Sequence, residues 1–439
     1  MIIIRKFLKN YKTHLLAVVT CAFLLTSCEG IQQEISGSVA QKKAQEQARL
    51  QAEADAKAAA ALAAQKAAEA AAEQQKIIKK KVKVAALLPL SGKNKDLGNA
   101  MLNSIILSLF ENDQQNIELL MFDSADLKKA ASDITAQKIK IVIGPIFSTD
   151  VEEFAGMVKG QNVTILSFSN NQDLSGKKGV FLMGFLPEQQ IERITAYSIS
   201  QGKDNFALLA PSNQYGKKFS EILGQMVKRK DGNLIASELY QNSSKDLERA
   251  VSKVINSYII APEASLKNKK SLKDEDKFYA NVILIPESGV ALSKIVNLIH
   301  RFNINEREIQ IIGSSNWDDQ ATLNDPNLIG GWFASADPTR YREFEKKYYQ
   351  IYNRFPPRIS GIAYDATLAA IEVVRKSQDK DIIPEDFINY TSVKNGFGGI
   401  DGLFRFLPNG IVQRNYAVLE VRNGNFQVID GASTIFFKY

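Results

Sequence analysis

The sequence predicts an α/β protein of two lobes, each a parallel sheet covered by helices on both faces. Three observations lead there. Short, nearly continuous apolar runs alternate with segments of helical periodicity from Val82 onward. Apolar strands spaced by helices belong to parallel sheets that are buried on both sides. The alternation reaches a helix at Pro187 and restarts at Asn205, so it falls into two similar halves. Finally, 439 residues with 45% apolar and 23% charged side chains have a globular composition and exceed one ordinary core.

Ahead of this domain lies what reads as delivery apparatus. Residues 1–27 form an export signal: a basic start, then an apolar run from Leu15 to Leu25, too short to span a bilayer. The run ends in Leu25-Thr26-Ser27-Cys28, which resembles a bacterial lipobox. That resemblance makes Cys28 the lipidated first residue of the mature chain, anchored on the periplasmic side of a membrane without a spanning helix. Glu29 follows, not the Asp that signals inner-membrane retention, so the outer membrane is expected. Residues 28–80 read as a spacer rich in Ala, Gln and Lys. Leu50 and Leu62 are the only large apolar side chains between Ala40 and Lys76. Such a stretch favours helix but has no stripe to bury; a semi-rigid helix and a frayed tether both fit.

The folded domain is expected over residues 81–439. Its first strand, Val82 to Leu88, is stopped by Pro89 and Ser91-Gly92. The helix after it carries apolar residues at Met101, Leu102, Ile105, Ile106, Leu109 and Phe110. Further strands are read at 117–124, 139–145, 163–170 and 179–184, with helices at 125–137 and 150–159. After a helix at 187–200, the second half offers strands at 205–211, 234–240, 282–286 and 309–313. Its helices are read at 216–230, 246–259 and 290–302, and residues 261–279 as a Lys- and Asp-rich surface insertion. The last third reads as a strand at 332–335 and helices at 340–353 and 361–374. A β tail from Leu403 to Phe437 closes the chain, turning at Pro408-Asn409-Gly410 and Asn423-Gly424-Asn425.

Composition removes several function classes. The signal holds four bases and no acid, so the formal charge of +7 becomes +3 without it. Net charge therefore gives nucleic-acid binding no support. Of two Cys and two His, Cys21 and His14 lie in the signal, leaving Cys28 and His300. A disulfide framework and a Cys/His metal site are both excluded by that count. Ser91-Gly92-Lys93 lacks the upstream Gly of a P-loop. His300 sits on an amphipathic helix and no nucleophile elbow accompanies it. No catalytic residue, metal or cofactor is expected, and the protein reads as a non-enzyme.

Five stretches carry a family resemblance. They are Ala86 to Gly92 at the first strand, Ile143-Gly144-Pro145-Ile146-Phe147-Ser148 at the third, and Asn213-Gln214-Tyr215-Gly216 opening the second half. Later come Ala363-Tyr364-Asp365-Ala366 and the tail Phe397 to Phe406 with Pro408-Asn409-Gly410. In order and spacing these resemble the type I periplasmic binding proteins, in their branched-chain amino-acid-binding branch, from about residue 82 to the end. The resemblance implies two Rossmann-like lobes joined by short crossovers near residues 186, 318 and 396. Lobe 1 would hold about 81–186 and 318–396, lobe 2 about 187–317 and 397–439. Such lobes can hinge shut on a ligand. With its lipobox and spacer, the chain is similar to the penicillin-binding-protein activator lipoproteins, thought to dock on peptidoglycan synthases. The helical-repeat N-terminal domain of the best-known member is replaced here by the short spacer.

In open α/β sheets, ligands sit beyond the carboxyl ends of the strands. The candidates there are Ser91, Gly92, Ser148, Ser169, Asn170, Tyr215, Glu287 and Ser314. The transport branch implies that Ser148 and the Ser169 region meet a ligand carboxylate, Tyr215 closes over it, and Glu287 meets an amine. The same Ser and Asn residues also suit N-caps of the helices that follow. Two functions are expected from this. The first is a membrane-anchored, non-enzymatic regulator of a penicillin-binding protein or other peptidoglycan synthase. The alternative is the substrate-binding receptor of an ABC transporter for amino acids or similar small zwitterions. Exposed aromatics outside the cleft would favour docking; Trp317, Trp332, Tyr348, Tyr349 and Tyr352 are candidates that also read as core.

Overall fold

A computed structural model describes residues 34–76, 81–112, 116–241, 243–260, 277–302, 309–377, 381–392 and 395–436. The expected signal, Cys28 and most of the 261–279 insertion lie outside the described residues. The chain forms two compact units, Met1–Lys79 and Lys80–Tyr439. In the first, α1 (Glu34–Lys76) is one continuous helix of 43 residues, about 65 Å long at 1.5 Å per residue. Its side chains from 43 to 69 are all exposed, as its missing apolar stripe requires. Among the described residues no helix is long and apolar enough to cross a membrane.

The second unit begins with β1 (Val82–Leu88), α2 (Lys95–Asn112), β2 (Ile117–Asp123) and α3 (Leu127–Ala136). It continues with β3 (Ile141–Ile143), α4 (Ser148–Met157), β4 (Thr164–Ser167) and β5 (Val180–Leu182). These strands form one parallel sheet in the order β2-β1-β3-β4-β5. Successive side chains of β1 alternate between its faces: Val84, Ala86 and Leu88 pack with α2, Ala85 and Leu87 with α3 and α4. Both faces are buried, so the run reads apolar throughout.

The chain then builds α5 (Pro187–Ser200), β6 (Asn205–Pro211), α6 (Gln214–Arg229), β7 (Asn233–Tyr240) and α7 (Ser244–Asn256). A short antiparallel pair follows, β8 (Tyr258–Ile260) with β9 (Lys277–Tyr279), flanking the insertion. Next come β10 (Val282–Leu284), α8 (Gly289–Arg301), β11 (Gln310–Gly313), a single turn α9 (Gln320–Leu323) and β12 (Trp332–Ser335). Three helices return to the first lobe: α10 (Pro338–Tyr352), α11 (Ser360–Ser377) and α12 (Pro384–Thr391). The tail is β13 (Phe397–Gly399), β14 (Gly402–Phe406), β15 (Val412–Arg414), β16 (Ala417–Arg422) and β17 (Asn425–Asp430). The second sheet runs β17-β16-β12-β11-β10-β6-β7. Its stretch β7-β6-β10-β11-β12 repeats the first sheet's order strand for strand, with β16 and β17 added antiparallel.

Two of the expected crossovers move. The first lies at Leu186–Pro187, between β5 and α5. The second falls after β12, not near 318, because Phe333 packs against Trp317 and Phe426 within the second lobe. The third falls between β15 and β16, not near 396. Phe404, Phe406 and Val412 belong to the first lobe's core, and Phe406 meets Phe181 and Phe387 at ring distances of 5.3 and 5.5 Å. Lobe 1 is therefore β1–β5, α2–α4, α10–α12 and β13–β15; lobe 2 is α5–α9, β6–β12, β16 and β17, and Phe436 beyond β17 returns to pack on Arg405 of lobe 1. Of the aromatic candidates, Trp317 and Tyr348 are fully buried and Trp332 and Tyr352 partly so, while Tyr349 is 43% exposed.

Candidate functional site

Between the lobes, beyond the carboxyl ends of both sheets, lies a cleft of about 920 Å³. The doubly wound order puts it there: the chain leaves β1 towards β2 and then crosses to β3, opening a crevice at the reversal. The β3–α4 turn forms part of the lobe 1 wall. Gly144 holds φ at +108° and its Cα lies so close to the Leu87 carbonyl that a Cβ would collide with it. Phe147, Ser148, Thr149 and Asp150 then line the cleft. Phe147, the residue before α4, supplies no side-chain cap, so the first N–H groups of that helix keep their capacity to donate. Burial pushes the Asp150 carboxyl above its ordinary range, although the Thr149 hydroxyl donates to it at 3.2 Å.

Five of the eight expected residues line this cleft: Ser148, Ser169, Asn170, Tyr215 and Ser314. Ser148 and Asn170 have no side-chain hydrogen bond among the described residues. Ser169 is partly committed, its Oγ accepting the Asn171 N–H at 3.1 Å. Ser314 caps a short turn, accepting from the Asn316 N–H at 3.4 Å. On lobe 2, the Tyr215 ring lies tilted against Phe219, centres 4.6 Å apart, and its Oη accepts from Asn316 Nδ2 at 2.8 Å. Burial pushes its phenol up to about 12, so it stays neutral and able to donate.

The other three fall outside the cleft lining. Ser91 instead bonds Asp123, which also accepts the Leu90 and Ala125 N–H groups, each at 3.0 Å. Burial opposes ionisation of Asp123, but the hydrogen bonds from the Ser91 side chain and from the Ala125, Leu90 and Ser91 backbone outweigh it and hold its pKa below the ordinary range. Gly92 turns at φ +69° beside it, and the next residues, Lys93 and Asn94, are the ones that reach the cleft. Glu287, at the end of β10, accepts a hydrogen bond from the Tyr240 hydroxyl and takes no part in the cleft wall.

Sequence reasoning missed the cleft floor. Arg358, between α10 and α11, donates from Nε to Asp318 Oδ2 at 2.7 Å and from Nη1 to Asp401 Oδ1. Its guanidinium lies 4.1 Å from the Tyr341 ring centre and 5.3 Å from that of Phe185. Burial alone would lower its pKa, but Asp401 and Asp318 together raise it, so it is permanently charged. Beneath it, Arg414 bonds Asp365 at 2.8 Å with both side chains wholly buried. Asp365 also accepts the Ile400 N–H at 2.7 Å; burial pushes its carboxyl up to about 6 against the pull of Arg414. Gly399 sits where a Cβ would strike Asp365, and Gly361 where one would strike Asp401. The resemblance-bearing Gly-Gly-Ile-Asp-Gly and Tyr-Asp-Ala stretches thus meet each other in space. Their pairing was the available signal, and read separately neither showed it.

Two covered, topologically repeated sheets with a polar cleft at their switch points and three crossovers below it define a bilobed ligand-binding protein. A model of the periplasmic binding protein family matches residues 81–425, and the chain belongs to that family. An uncharacterized protein from Rickettsia prowazekii, RP748, is 24% identical over 353 residues, 80% of this chain and 89% of its own length. The penicillin-binding protein activator LpoA of Vibrio cholerae is 23% identical over 183 residues, 40% of this chain. The match spans only 30% of LpoA. The crystal structure of a putative branched-chain amino acid ABC transporter from Rhodospirillum rubrum superposes with a TM-score of 0.66 at 16% identity. That superposition covers 80% of this chain and all of the other.

Proposed function

We propose that this protein is a lipid-anchored, non-enzymatic regulator of a penicillin-binding protein or other peptidoglycan synthase on the periplasmic side of a bacterial membrane. Cys28 would carry the anchor and α1 would act as a spacer. The observation that carries this reading is the incomplete zwitterion site. Glu287, the carboxylate expected to meet an amine, is engaged by Tyr240 and is not part of the cleft lining. Asp318 is engaged by Arg358, and Asp319 caps α9 by accepting the Thr322 N–H at 2.7 Å. The two carboxylates that line the lobe 2 wall thus already hold protein partners, and Tyr215, Ser314, Ser315 and Asn316 beside them are neutral. The partial similarity to LpoA supplies the partner class.

The reading is tested by adding the purified chain to a bifunctional penicillin-binding protein from the same organism and following glycan polymerisation and cross-linking. A rise of several-fold in either rate, with binding between the two proteins, is the expected result. No binding and no change in either rate would sink it.

The receptor reading keeps one observation in its favour: the uncapped start of α4 beside the unpaired Ser148 hydroxyl suits a carboxylate. Thermal unfolding with L-leucine and L-isoleucine separates the two readings. A ligand at a hundred times its Kd adds about 2.7 kcal/mol of stability, and a clear upward shift with either amino acid would favour the receptor.

A further inference from the structure

Arg358 belongs to lobe 1, and its two carboxylate partners belong to different lobes. Asp318 follows β11 in lobe 2 and is fixed there by Ser335 Oγ of β12, which donates to it at 3.0 Å. Asp401 lies in the β13–β14 turn of lobe 1, whose backbone Asp365 holds. The loop carrying Arg358 is tied to lobe 1 by the Tyr341 hydroxyl, which donates to the Pro356 and Pro357 carbonyls at 3.3 and 3.2 Å. Residues of all three crossovers bear on this bridge: Phe185, whose ring lies 5.3 Å from the guanidinium, at the first; Ser335, bonded to Asp318, at the second; and Arg414, 5.7 Å from the Phe185 ring, at the third. An ion bridge at this place spans the hinge itself.

We propose that Arg358 and Asp318 form a latch between the lobes, with Asp401 receiving the guanidinium when the latch opens. The geometry has room for that exchange. Arg358 splits its fork, giving Nε to one carboxylate and Nη1 to the other. Its Nη2 and Asp401 Oδ2 both lack a partner among the described residues. On release from Asp318, the guanidinium can therefore turn to a two-point bond with Asp401, the favoured geometry of an Arg–carboxylate pair. A buried guanidinium with no carboxylate would be strongly unfavourable; the second Asp removes that obstacle. Opening then exchanges one charge-assisted bond for another, and the two lobe positions lie close in free energy. This holds whichever ligand or partner the protein serves.

The test uses the full chain with Ala in place of Cys21 and Cys28. Spin labels at Lys128→Cys on α3 and Lys217→Cys on α6, both exposed, report the lobe separation by pulsed electron resonance without ligand. Asp318→Asn should shift the ratio of long to short distances about tenfold towards long, the effect of losing one charged hydrogen bond. Arg358→Lys should shift it the same way, because a side chain with a single donor nitrogen cannot place separate atoms, as Nε and Nη1 do, on the two carboxylates. Asp401→Asn should shift it the opposite way, since the released guanidinium then has no second partner. Unchanged distances in both Asp318→Asn and Arg358→Lys, or opening in Asp401→Asn, would overturn the latch. If one of the first two fails to give a cooperative thermal transition, the other decides.

Discussion

The walls and the floor of the cleft are built on opposite principles. On the walls, Ser148 and Asn170 point uncharged groups at open space and keep their hydrogen-bonding capacity free. On the floor, Arg358, Arg414, Asp318, Asp365 and Asp401 are charged and committed to one another. Burial makes an unpaired charge strongly unfavourable, so the charges of these five groups are balanced among themselves where the lobes meet. The contrast teaches that recognition and mechanics are separated here. In the proposed reading the walls, where Lys93, Asp150 and Asp319 are the charged groups, would select what enters, and the ion-paired floor would govern how the lobes move around it.

The comparison breaks most visibly at its most buried point. Arg414→Met would strip the buried Asp365 carboxyl of its counter-ion, so that it must take up a proton or stay uncompensated, and should lower stability by about 3–5 kcal/mol at pH 8, measured by denaturant unfolding. The loss should depend on pH in a definite direction. Asp365 is raised to about 6 in the folded protein, above about 3.9 in an unfolded chain. The folded state holds this proton more tightly, so the group's contribution is greatest at low pH and is lost as pH rises through about 4 to 6. The Arg414→Met deficit should therefore be smaller at pH 5 than at pH 8. A deficit that grows on acidification would show that Asp365 is not the group left exposed to the change.

This same floor marks where sequence reading stopped. The strands of the two main sheets and most helices were legible, because apolar runs such as Val84 to Leu88 and the helical stripe at Met101, Leu102 and Ile105 state their period locally. β8 and β9 were not, the first overlapping the helix expected at 246–259 and the second falling inside the expected insertion. The crossovers after β12 and β15 were not, since the allegiance of a strand is decided by packing. Phe404 and Phe406 carry nothing in the sequence that says they join Phe181 and not β16. α12 was missed for a related reason: Pro384 starts it, but the helix is only eight residues long. For the site, strand-end polar residues were legible as a class. Which of them face the cleft depends on side-chain partners that only three dimensions supply. Asp123 draws Ser91 away, and Tyr240 engages Glu287.

A middle-sized effect is expected where a wall candidate proved structural. Asp123→Asn should cost about 1–3 kcal/mol at neutral pH, because it weakens bonds from Ser91, Leu90 and Ala125 together. The sign is opposite to that of Asp365. The Asp123 pKa is lowered on folding, so its contribution is present above the unfolded value and is lost as pH falls through the folded one. Wild type and Asp123→Asn should therefore converge in stability below about pH 4. Convergence would confirm a structural carboxylate; an equal gap at pH 3 and pH 7 would not.

The smallest effects sharpen the line between cleft and surroundings. Tyr215→Phe removes the acceptor for Asn316 Nδ2 and should change stability by only about 0.5–1.5 kcal/mol. Any small molecule that shifts thermal unfolding of the wild type should lose affinity in this variant, because the phenol faces the cleft. Glu287→Gln keeps an acceptor for the Tyr240 hydroxyl and should stay within about 0.5 kcal/mol of wild type, with ligand affinity unchanged by isothermal titration. The pair is informative as a pair. If Glu287→Gln alone abolished binding, the carboxylate would have to swing from Tyr240 into the cleft, and its absence from the lobe 2 wall would belong only to the unliganded state.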